Sequence, residues 1–163
     1  MAAYTAIDDP EAHFQVKTYT GTGSSNALTL DGDTDMAVDV VWIDTLNEAE
    51  INPVMDRVRC TSTYGSRTNA TDQDNESNAN TITAFGTDGF TVGSENRFNQ
   101  SSNTCVAWCW LAGGSGSANT SGSINTTKTS ANATGGFSLM TYTGNDTAGA
   151  TIGHGLGAVP HFI

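Results

Sequence analysis

The segment TCVAWCWL, residues 104–111, decides the fold class. At a period of two, one face carries Cys105, Ala107 and Cys109 and the other Val106, Trp108 and Trp110. Both faces suit burial, so the segment reads as a central strand. The same alternation predicts strands over residues 14–20, 38–43, 54–60, 82–85, 90–92 and 137–143, with a last one beginning near Val159. Turn signals separate them, such as Thr-Asp-Gly at 87–89 and Asn-Asp at 145–146. Many short strands between turns predict an all-β chain folded as an antiparallel β-sandwich.

Composition agrees. The 163 residues suit one domain, or one domain and the beginning of another, and are rich in Thr, Ser, Asn and Gly, which favour strands and turns over helices. A formal charge of −11, with acids concentrated before Gln100, disfavours nucleic acid and anionic membrane surfaces as partners. No apolar run is long enough to span a membrane, and MAAYTAIDDPEAHF lacks the basic start and apolar stretch of a signal peptide, so synthesis in a cytoplasm is expected. The cysteines are Cys60, Cys105 and Cys109. Cys105 and Cys109 stand about 13 Å apart at strand rise, too far for a disulfide, and all three read as small buried apolar residues.

Two stretches read as loops: RTNATDQDNESNAN at 67–80 and GGSGSANTSG at 113–122, the latter of flexible-linker composition. A turn of helix fits only at 44–50, before Asn52-Pro53.

A repeat runs across this pattern. FQVKTYTG at 14–21 returns as FSLMTYTG at 137–144, and matching Val38-Asp39-Val40-Val41 with Pro160-His161-Phe162-Ile163 keeps nearly the same offset. The expected organisation is a leader at 1–13, a sandwich at 14–135, and a segment 136–163 that either starts a second repeat unit or closes the first domain. The first of these is favoured, because the last strand is incomplete.

In order along the chain, AIDDPEAHFQVKTYTG, DMAVDVVWI, DRVR, FGTDGFTVGS, CVAWCWLAG and GFSLMTYTGNDTAGATIGHGLGAVPHFI resemble a repeat domain of tail-fibre-like structural proteins of marine bacteriophages. The resemblance covers nearly the whole chain, although only the order of the motifs is specific. It implies a β-sandwich of jelly-roll or lectin-like type and a role in virion architecture or host contact. Relatives are less acidic at DGDTD and often basic after Ile43, so no charge-based binding role carries over.

Candidate sites are few. In LDGDTDM, Asp31, Asp33 and Asp35 alternate as carboxylates do in calcium loops, but Met36 and Trp42 stand where an EF-hand needs Gly and Glu. A looser calcium site competes with an ordinary acidic turn, and no other cofactor is expected. His154 lies in GxGxG followed by Pro160, which reads as a tight connection rather than a phosphate loop. Trp42, Trp108 and Trp110 read as core before they read as a sugar-stacking platform. No nucleophile elbow or zinc helix occurs, and nothing singles out a glycosidase pair among Asp56, Asp72, Asp74 and Glu76, so no enzyme is expected. The leader offers Tyr4, Ile7, Asp8, Asp9 and Pro10 as an extended anchor on a partner.

The resulting expectation is a virion structural protein, assembled in the bacterial host cytoplasm. It would be the N-terminal domain of a tail fibre or similar appendage, contacting other tail or capsid proteins as a homo-oligomer, with a trimer implied by the type of protein. A capsid decoration or head-fibre protein and a carbohydrate-binding module that meets the host surface are the alternatives.

Overall fold

The computed structural model describes residues 7–49, 51–59, 65–68 and 80–163. Tyr4, Cys60, Asp72, Asp74, Glu76 and most of the 67–80 loop lie outside the described residues. The strands are β1 (Phe14–Thr20), β2 (Asn26–Leu28), β3 (Val40–Thr45), β4 (Pro53–Asp56), β5 (Ser66–Arg67) and β6 (Ile82–Phe85). There follow β7 (Phe90–Val92), β8 (Thr104–Trp110), β9 (Ser117–Asn119), β10 (Thr126–Asn132) and β11 (Phe137–Tyr142). A 3-10 turn, Pro10–Ala12, precedes β1, and a four-residue helix α1, Asn96–Asn99, precedes β8.

The chain is all-β, and its strand pairs are antiparallel. One sheet has the order β1-β8-β3-β4-β5, so TCVAWCW does run inside a sheet, between β1 and β3. Its Cys105, Ala107 and Cys109 share a face with Tyr19, Val41, Ile43 and Met55. The second sheet, β2-β7-β6, supplies Leu28, Phe90, Val92 and Ile82 to the same core, which Phe98 of α1 also enters. A third sheet, β11-β10-β9, meets the opposite face of the five-stranded sheet. There Trp110 lies 5.1 Å from the Phe14 ring and 5.8 Å from the Phe137 ring, nearly parallel to the latter. The two copies of the repeated octet thus meet on one tryptophan.

Several expectations are corrected. No strand forms near Val159, where the chain lies exposed. The strand expected at 54–60 stops at Asp56, whose Oδ1 accepts the Val58 and Arg59 amides and turns the backbone. The helix expected at 44–50 is absent over its described part: Asp44 and Thr45 extend β3, and Leu46 N–H donates to Thr104 O, holding the chain against β8. The expected linker at 113–122 contains β9. Gly116 makes its tight fit possible, with φ at +69° and a site where any Cβ would press on the Thr129 carbonyl. Trp42, Trp108 and Trp110 lie half-buried on the face opposite the core, because β8 gives that core the small Cys and Ala side chains instead.

Candidate functional site

The leader residues fold back onto the acidic loop. Asp9 caps the turn at Pro10–Ala12, accepting Glu11 N–H, and its other carboxylate oxygen accepts Thr34 Oγ1 at 2.6 Å. The Thr34 hydroxyl, more than any other neighbour, holds the Asp9 carboxyl below its ordinary range. Glu11 Oε2 accepts Asp33 N–H, and buried Gln15 donates to Thr34 O and Glu11 O while accepting Gly32 N–H. Asp9 and Pro10 therefore shape the approach to β1, while Asp8 stays exposed and Ile7 half-buried.

The Asp31 carboxylate pairs with Lys17, whereas Asp33 is tied to Glu11 through its backbone N–H. Among the described residues no group of three or more His, Cys, Asp or Glu is placed to hold a metal ion.

The DRVR turn uses its charges internally. Buried Asp39 accepts Arg57 Nε at 2.7 Å and the Ala112 and Gly114 amides at 2.9 and 3.0 Å, tying β3 to the start of the β9 segment. Buried Asp56 accepts two amides of its own turn and Arg59 Nε, which is how burial of a carboxylate becomes tolerable. Arg57 also lies over the Phe85 ring, 5.3 Å from its centre. Neither ion pair is visible in the sequence pattern, since the burial that makes each one matter comes only with the fold.

Cys105 and Cys109 are free and fully buried, and burial pushes both thiols up, that of Cys109 to about 12. They are protonated and inert at neutral pH. His154 Nδ1 accepts Leu156 N–H at 3.1 Å, and Gly155 and Gly157 take positive φ, as a tight connection requires.

Beneath that connection lies a concavity of about 650 Å³. Ser115, Ser117, Asn119, Ser121 and Thr129 line it together with glycine backbone, and Gly155 closes one side. It presents neutral donors and acceptors and no ionisable side chain, so it suits hydrogen bonding to an uncharged hydroxyl-rich ligand better than proton transfer. The other candidate surface is the aromatic face, where Trp42 and Trp108 rings lie 5.3 Å apart beside the exposed Val16.

A family model, Domain of unknown function (DUF7483), matches residues 9–163, and the chain belongs to that family. The match spans both copies of the repeated octet. No curated protein and no solved structure matches the chain.

Proposed function

We propose that this family member is a non-catalytic structural protein of a bacteriophage virion. It would form a β-sandwich domain of a tail fibre or similar appendage, joining the particle and supporting host recognition. The jelly-roll or lectin-like type implied by the resemblance belongs to the same proposal. The observation that carries the reading is positional. Both copies of Phe-x-x-x-Thr-Tyr-Thr-Gly are the long edge strands of their sheets, β1 and β11, so the repeated motif supplies edges rather than a pocket. Edges are where sheets extend or assemble. The charges offer the complementary support, since Asp9, Asp31, Asp39 and Asp56 are each engaged in holding turns and loops.

The test is to locate the chain on purified particles by antibody labelling and electron microscopy. Labelling of an appendage is expected. Labelling of the shell would move the chain to capsid decoration, and its absence from particles would overturn the proposal.

A carbohydrate-binding role is the second reading, favoured by the neutral cleft that Ser115, Ser117, Asn119 and Ser121 line. A glycan array read with and without calcium decides it. Binding that is lost in Asn119→Ala would support this role, and calcium-dependent binding lost in Asp33→Ala would assign it to the acidic loop instead.

A further inference from the structure

We propose that β11 is a pairing edge, and that a second copy of this chain adds its own β11 antiparallel to it, joining two three-stranded sheets into one of six strands. β11 ends its sheet, and among the described residues no backbone group of 137–144 bonds to the backbone of anything but β10. An unpaired row of amides and carbonyls is a template for another strand, which folds ordinarily blunt with lysine, proline, bulges or brevity. The other edges here are blunted in these ways. β2, β5 and β9 have three residues or fewer, β6 carries a register shift between Ile82 and Ala84, and β1 carries Lys17 at its centre. Within the repeated octet, Met140 occupies the place of Lys17. β11 is six residues long and has neither charge nor proline.

Self-pairing makes a second copy the fitting occupant of this edge. In a two-fold antiparallel pair each residue faces one of the same parity, so Leu139 or Met140 at the strand centre lies opposite its own copy. Along FSLMTYT no like charges then meet, whereas the same pairing of β1 would bring two Lys17 side chains together. Charge also separates the two ends of the sequence. Lys128 and Asp146 are the only Asp, Glu, Lys or Arg residues beyond Gln100, so the formal −11 falls entirely on residues 1–100. Two strongly acidic chains can approach through β11 with little repulsion, and scarcely through β1.

A strand pair alone is a small interface, so association in about the micromolar range is expected. Sedimentation equilibrium of the full chain from about 1 µM to 1 mM should give a monomer–dimer equilibrium. Met140→Lys, which restores the first copy's lysine, should weaken it at least about tenfold, and Met140→Leu should preserve it. In the wild type, amide exchange within 137–142 should slow as concentration rises, while that within 14–20 stays constant. A monomer throughout the range, a trimer, or a dimer undiminished in folded Met140→Lys would overturn the proposal. Should that variant fail to fold, exchange at 137–142 that is independent of concentration would overturn it equally.

Discussion

FQVKTYTG and FSLMTYTG share a phenylalanine and a closing Thr-Tyr-Thr-Gly, yet the structure uses the two differently. Tyr19 is 8 % exposed and donates its hydroxyl to Phe98 O, whereas Tyr142 is 50 % exposed. Any Cβ on Gly21 would fall on the Gln100 carbonyl, while Gly144 has open space around it. The difference lies in what runs alongside. β1 pairs with β8, whose alternate residues form the core, and β11 pairs with β10, a strand of Thr, Lys, Ser, Ala and Asn. The shared residues therefore specify a strand that ends in a turn, and the neighbour decides how much each one carries.

Alanine at the two glycines tests this contrast most severely. Gly21→Ala must displace backbone at α1, and should cost about 3 kcal/mol in denaturant unfolding. Gly144→Ala should stay within about 0.5 kcal/mol of wild type. Equal effects would mean that the two copies carry equal loads after all.

Removing the phenolic oxygens is a milder probe. Tyr19→Phe strips the Phe98 carbonyl of a buried donor, leaving among the described residues the long contact from Cys105 Sγ, and should cost about 1–2 kcal/mol in the same unfolding measurement. Tyr142→Phe removes a group with solvent access and should change stability by less than about 0.5 kcal/mol.

The same contrast explains how much was legible in sequence. Apolar alternation marks β1, β6, β7, β8 and β11 to within a residue, because the first four place residues such as Tyr19, Ile82, Val92 and Cys105 in the core and β11 sets Phe137 against Trp110. β10 carries no such alternation, since its buried residues are Thr126 and Ser130, held by hydrogen bonds rather than by the hydrophobic effect. β9 was hidden in a glycine-serine run whose φ requirements, not its polarity, define it. The acidic loop was visible as a charge pattern, but its partners Glu11 and Gln15 were not, because they come from the other side of a strand and a long loop. Likewise the cleft needs β9, β10 and Gly155 together, and no single stretch announces it.

The smallest predicted effect concerns the turns that lead into the two strands. β1 follows a turn capped by Asp9, and β11 follows one in which Asn132 Oδ1 accepts Gly135 N–H, a contact that does not titrate. Asp9 has a folded pKa below its ordinary 3.8, so its contribution is present above that value and lost as pH falls through the lower folded one. Acid should therefore speed amide exchange around Thr34 and the 3-10 turn before it affects residues 132–137. Asp9→Asn should flatten that response while leaving the turn before β11 as it was. Because Asp9 is exposed, the change belongs to local opening rather than to global unfolding. If the two turns loosened together in acid, the asymmetry between the copies would not extend to their caps, and the Asp9–Thr34 bond would be incidental to how β1 is held.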